Sequence, residues 1–567
     1  MLHYQIEFDD YRQHLVHVTL RFLADPNQEL WLPTWIPGSY LIREFSKHIE
    51  SVQAYDEAGR ILEIKKQQKN RWRLFNTDHE LITVEYDAYA YDLSVRGAYV
   101  DQTRLYINPA CVCLALGGQE EKACEVELFL PQELKHFQLA TGLPSKSLVK
   151  GRFTLKAENY DQLIDSPFEL AEQTRFSFEA GNIAHEMVIS GIHATNTERL
   201  KNDLEKICAT EVALFGSAPF QNYTFMTMAT GNSYGGLEHC NSTSLIIPRT
   251  DLPKLNEPEE PSEDYQRFLG LCSHEYFHSW LVKFIRPENF ARYNLNQESY
   301  TSLLWIFEGF TSYYDDLILL RSGVISQESY LKLLKAQIDR YLQNPGRQIQ
   351  SVAESSFDAW IKFYRQDENS NNAGTSYYNK GCLVALCLDL GLRLRGSSLD
   401  ALLRLLYQNT EKGVQVNERT IFELCQQLTG DSWIEQINHL INTTDELPLD
   451  QLFPEFGLSY ALKHDKKMPF GMKLQDKPEG VMVQQVNRYG AAATAGLSAQ
   501  DVIIAIDGLK ASEKLLATYA KQQGIITILA FRRDELMSFE VERSTIDLAE
   551  VELVVQDQSK ADHWLKV

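Results

Sequence analysis

His274, Glu275 and His278 lie within the run Cys272-Ser-His-Glu-Tyr-Phe-His-Ser-Trp280. On a helix, positions four apart return to the same face about one turn on, so both imidazoles can grip a single zinc ion. Glu275 then stands beside the metal rather than on it, where a general base for the attacking water belongs. Two histidines leave such a centre one protein ligand short, because catalytic zinc takes three and keeps the fourth position open. Two carboxylates follow, Glu298 and Glu308. Glu308 is the stronger candidate, being the only carboxylate in the apolar run Leu303–Phe310, where a charge needs a compensating cation. Asp315, seven residues beyond Glu308 and so on the same helical face, can orient a ligand histidine.

Several elements must position these groups. The acidic loop Asn256–Asp264 leads into the zinc-motif helix, with Ser262 as N-cap, and the helix is predicted to run to about Phe284. Ahead of it, strands over Tyr223–Ala229 and Ser242–Ile247 flank Gly231-Asn-Ser-Tyr-Gly-Gly-Leu-Glu-His239. There Gly235 and Gly236 permit a tight turn and a close backbone approach to a ligand. Behind it, apolar spacing predicts helices over Gln327–Tyr341, Gly381–Leu394 and Leu399–Tyr407, and near Ile421 and Trp433. The polar loop Asp367–Gly374 is placed to gate a cleft.

The first third alternates with period two, as in Leu15–Phe22 and Leu81–Tyr86, which reads as half-buried strands. Leu32–Phe45, with two prolines, a glycine and three aromatics, reads instead as an ordered loop. Period two returns after about Leu458, in Val481–Val486, Asp501–Ile506 and Ile525–Ala530. A chain of 567 residues exceeds one core, and the expected fold is multidomain α+β. Its parts are a β-sandwich-like N-terminal domain over 1–168, a mainly helical catalytic domain over 169–456, and a C-terminal domain and tail over 457–567.

A formal net charge of −22 argues against nucleic acid and anionic membrane as partners. No stretch of about 18 apolar residues is present, and the first ten residues lack a basic start and an apolar run. Nine scattered cysteines do not form the framework of a disulfide scaffold. A cytoplasmic location is therefore expected.

Gly-Gly-Leu-Glu-His239, His274-Glu-x-x-His278, Trp305-x-x-Glu-Gly-Phe-Thr311 and Tyr378-Asn-Lys-Gly381 stand in the order found in thermolysin-fold zinc aminopeptidases. More narrowly, the chain resembles the glycyl aminopeptidase family, which joins an N-terminal β domain, a thermolysin-like catalytic domain and a C-terminal PDZ domain. Trp35-Ile-Pro-Gly-Ser-Tyr40 is similar to that family's N-terminal signature, and Val282-Lys-x-Ile-Arg-Pro287 to its continuation of the zinc helix.

The resemblance implies one Zn2+ per chain, held by His274, His278 and Glu308, with Glu275 as general base. It implies Tyr378 as the phenol supporting the oxyanion and Glu238 as the carboxylate holding the substrate's α-amine, with Gly235, Gly236 and His239 lining the same site. The activity it implies is removal of the N-terminal residue, small and Gly- or Ala-like, from free peptides by zinc-activated water. His239 stands where better-known aminopeptidases carry asparagine, and Glu298 lies nearer their usual ligand spacing. The last hundred residues resemble a protease-type PDZ domain, with Phe470 and Gly471 in the carboxylate-binding loop and a peptide C-terminus as a further partner. The alternatives are a zinc endopeptidase, or a PDZ adaptor with an inert peptidase domain.

Overall fold

The computed structural model describes residues 1–566, which form two compact units. The first comprises Met1–Tyr300, Tyr314–Ser326 and Leu403–Asn417, and the second Thr301–Tyr313, Gln327–Leu402 and the chain from Glu418 onward.

The first unit begins with an eight-stranded sheet in which Leu2–Glu7 lies between Cys124–Phe129 and Leu15–Ala24. The alternation seen in the sequence is reflected in burial: along Cys124–Phe129, buried and half-buried side chains take turns. Two four-stranded sheets complete the β-rich region. A five-stranded sheet then carries the functional turn. Strand β1 (Asn222–Thr230) and strand β3 (Ser242–Pro248) run parallel, and β2 (Gly235–Glu238) pairs antiparallel with β3 as the edge strand, Glu238 opposite Thr243. Gly235-Gly236 is thus part of a strand and not a turn, for a reason that the site geometry supplies.

Helix α1 (Glu263–Phe277) follows. Ser262 occupies its N-cap position, but its side chain accepts no bond from the helix, while Glu263 and Asp264 supply negative charge to the first turn. The helix stops at Phe277, short of the expected Phe284, with His278 as C-cap. Val282 has φ of 77°, a conformation costly for a β-branched residue, and the Lys283 N–H turns back to the His278 carbonyl at 3.2 Å.

The second unit is helical over Gln327–Leu342, Thr420–Thr429 and Ile434–Asn442, close to the predicted spans, and also over Val352–Phe357, which was not predicted. Helix α2 (Gly309–Arg321) starts in this unit, and its part from Tyr314 belongs to the first. Helix α3 (Asn379–Arg393) is almost wholly buried. Gly309 and Gly381 let the start of α2 meet α3 backbone to backbone: a Cβ on Gly309 would lie 2.6 Å from Gly381 Cα. Beyond Gly457 come a ribbon of Leu458–Pro469 with Thr545–Val555 and a sheet with β4 (Met472–Lys477) at one edge and Glu535–Glu542 at the other. That sheet closes over a core of Phe470, Val481, Ile503, Leu516, Ile528 and Val541. The loop Asp367–Gly374 is tethered to this region. Asn372 Nδ2 donates to the Val486 carbonyl at 2.9 Å, and Asn372 Oδ1 accepts from the Arg488 N–H at 3.1 Å. Among the described residues, no helix is long and apolar enough to cross a membrane.

Candidate active site

On α1 and its C-cap, His274 and His278 turn their rings toward one another, with centroids 4.7 Å apart and planes at 86°. Each ring has an acceptor at Nδ1: Asp315 Oδ2 at 3.0 Å for His274, and the Leu281 carbonyl at 3.3 Å for His278. With Nδ1 of each ring turned to those acceptors, the two Nε2 atoms come within 3.1 Å of each other, on the side from which a shared metal ion would be held. Two neutral imidazoles, each steadied by a hydrogen bond from its far nitrogen, suit zinc.

Glu275, one residue after His274, is 5% exposed. Edge strand β2 passes so close that a Cβ on Gly236 would overlap the Glu275 carboxylate, so only glycine fits. Gly236 therefore serves by its absent side chain rather than by unusual backbone angles. Gly235 beside it has open space, its nearest neighbour being Arg96 Nη1 at 3.8 Å from a modest Cβ position.

Glu238 ends the same strand and is 4% exposed. It, Glu275 and His278 each offer a polar atom, all within 4.8 Å of one another. Among the described residues, Glu238 Oε1 has no hydrogen-bond partner. A buried carboxylate left in that state calls for a cation or a charged donor. The loop around Trp35 forms its other wall. Trp35 Nε1 donates to the Asn294 and Gln297 carbonyls, and Gly38, with φ of 88°, sits where any Cβ would overlap the Glu238 carboxylate. His239 is buried, its Nδ1 3.4 Å from Asp165 Oδ1.

Within the second unit, Glu308 is 2% exposed at the C-cap of the short helix Leu304–Phe307. Tyr378 stands at the N-cap of α3 and stacks on Phe363 at 5.3 Å. Burial, and next the nearby Glu308 carboxylate, push the Tyr378 phenol far above its ordinary range, so it keeps its proton and can donate. Glu298 lies half-buried in a loop and belongs to no metal-capable cluster of His, Cys, Asp and Glu among the described residues.

In the C-terminal region Phe470 is fully buried, with its N–H bound to the Ser544 carbonyl at 2.9 Å, and the Gly471 N–H reaches the Met468 carbonyl at 3.3 Å. Both donors expected to receive a peptide carboxylate thus have acceptors within the fold.

The structure therefore brings His274, Glu275, His278, Glu238 and Asp315 together in the first unit, and Glu308 with Tyr378 in the second. Sequence reasoning missed Asp165 and Lys283, whose side chains meet at 2.7 Å beside the Glu238 turn. Lys283 carried a usable signal: it is the lone charge between Trp280 and Ile285, as Glu308 is between Leu303 and Phe310.

Patterns of known families match three stretches: the Peptidase M61 N-terminal domain over 3–172, M61 glycyl aminopeptidase over 267–384 and the PDZ domain over 459–520. Among solved structures, an aminopeptidase N family protein from Idiomarina loihiensis is 41% identical, with 100% of each chain covered and a TM-score of 0.95. An M1 zinc metallopeptidase from Deinococcus radiodurans is 12% identical, covering 79% of this chain and 94% of its own, with a TM-score of 0.49. No curated protein matches the sequence.

Proposed function

Since the chain belongs to the M61 glycyl aminopeptidase family and is a peptidase, we propose that it removes the N-terminal residue from peptides with a free amine, using one zinc ion. His274, His278 and Glu308 would hold the metal. When bound, zinc makes water acidic enough to lose a proton near pH 7 and draws electron density from the scissile carbonyl. Glu275 accepts the proton of the attacking water and returns it to the leaving nitrogen. The Tyr378 hydroxyl donates to the carbonyl oxygen as negative charge grows there. Glu238 binds the α-ammonium and so sets which peptide bond lies beside Glu275.

The observation that carries this reading is the buried Glu238 carboxylate, one oxygen unpartnered, clustered with Glu275 and His278. A carboxylate so close to the base leaves room for only one residue between amine and scissile bond. The near approach of Gly38 to Glu238 supports a small first residue. All nine cysteines are free, which supports a reducing, cytoplasmic setting. The functional division we propose is 1–168, 169–456 and 457–567, following the matched stretches. In the last of these, the open side of edge strand β4 is where a peptide partner would add as a further strand.

The test compares glycyl and alanyl peptides with their N-acetylated forms. The wild type should cleave the free peptides and leave the blocked ones, and Glu238→Ala should erase most of that discrimination. Equal cleavage of both by the wild type would make the enzyme an endopeptidase.

A further inference from the structure

Asp165 lies just after the helix Tyr160–Ile164, in the N-terminal β-rich region, yet all its side-chain partners come from the catalytic site. Its Oδ1 accepts from Lys283 Nζ at 2.7 Å and lies 3.4 Å from His239 Nδ1. Its Oδ2 accepts from the Cys240 N–H at 3.0 Å. One carboxylate thus ties the two residues following Glu238 to the segment following His278. Lys283 belongs to the same clamp at a second point, since its N–H donates to the His278 carbonyl at 3.2 Å.

Lys283 is 5% exposed, and a buried ammonium needs a counter-charge. Asp165 supplies it at 2.7 Å, and Glu238 is a second carboxylate whose charge acts on Lys283. Lys283 therefore has two carboxylates within electrostatic reach. Only one of them, Glu238, also has an unpartnered oxygen. An ammonium on Lys283 that turned from Asp165 to Glu238 would occupy the position intended for the substrate's amine.

We propose that Asp165 is a positioning residue for amine recognition: it retains Lys283, keeping that cation off Glu238, and through His239 and the Cys240 N–H it fixes the bend that follows Glu238. The inference rests on Glu238 being the amine anchor. The competition it describes is between two ammonium groups for one carboxylate, and Asp165 settles it in favour of the substrate.

The test uses full-length, zinc-loaded Asp165→Asn, Lys283→Met and the double variant, assayed on glycyl and alanyl peptides. Asp165→Asn should raise KM for free-amine peptides about 10- to 100-fold, the cost of losing a partner that orients a site residue, with a smaller change in kcat. The double variant, lacking the competing cation, should recover most of that KM. An unchanged KM in Asp165→Asn, or a double variant no better than the single, overturns the proposal. Should Asp165→Asn not accumulate as folded protein, Lys283→Met gives the second reading. Without the competitor its KM should stay level or fall, and a rise of tenfold or more overturns the proposal. Glu238→Ala separates the two claims. If it leaves the free-against-blocked discrimination intact, the anchor reading fails; if it abolishes discrimination while Asp165→Asn leaves KM alone, only the Asp165 proposal fails.

Discussion

At the scale of single residues, Glu275 and Glu238 are two carboxylates of like burial whose neighbours give them different work. Glu275 lies under Gly236 beside the histidine pair, and Glu238 is walled by Gly38. Glu275→Gln keeps the shape and removes the base, so zinc content should stay near one per chain. Turnover should fall by about 10² to 10⁴, the usual contribution of a general base, as measured by metal analysis alongside kcat. Near-normal turnover would remove Glu275 from that role. The facing of His274 and His278 was legible because its logic is local: one turn of helix brings positions four apart to the same face. Glu308 was legible as a lone charge among apolar neighbours. Asp165 was not, because its partners His239 and Lys283 are 74 and 118 residues away and nothing near it in sequence marks the encounter.

Secondary-structure elements set the spacing of these groups. The contact of Gly309 with Gly381 joins the residue after Glu308 to the motif that begins with Tyr378. Gly309→Ala should force α2 and α3 apart, destabilising the fold by about 1–3 kcal/mol, as overpacking does. It should also lower kcat through a displaced Tyr378. Denaturant midpoints and kinetics on the same preparation would check both, and an unaltered kcat would show that Tyr378 does not depend on this contact. A second element-level link joins the sheet to α1. His185, on the strand Ile183–Ser190, has Nε2 2.9 Å from the Tyr276 hydroxyl. Burial pulls His185 down to about 4. Unfolded histidine titrates near 6.5, so between about 6.5 and 4 the unfolded chain binds a proton that the folded chain refuses, and stability must fall as pH falls through that window. Unfolding midpoints of wild type and His185→Gln at pH 7.5 and 5 should differ in slope, the variant showing the weaker dependence. The sequence foretold β1, β3 and α3 to within two residues, because their apolar runs are strong, but it did not foretell the strand Ile183–Ser190. It misplaced the end of α1, because the break depends on Val282 accepting a positive φ, which no local pattern announces.

Across the whole molecule, distant stretches of the chain complete one another. Trp564, fully buried, donates from Nε1 to the Tyr313 hydroxyl at 2.9 Å, and Tyr313 donates to Asp389 Oδ2 at 2.7 Å. Trp564→Ala should cost about 3–5 kcal/mol, read from denaturant unfolding, with the loss shared by the helical part of its unit. A shift confined to the region after Gly457 would show that the two parts are not coupled. The multidomain α+β plan was legible from the switches in hydrophobic period. The tethering of Asn372 by Val486 and Arg488 was not, since a polar loop looks the same in sequence whether it is pinned or not.

The partnership of Tyr313 with Trp564 also sets an order on biosynthesis. Tyr313 lies five residues after Glu308, and its buried hydroxyl waits for an indole that is made 251 residues later. A ribosome delivers the chain from its N-terminus at about 5–20 residues per second, so the stretch around Glu308 remains incompletely supported for tens of seconds after it emerges.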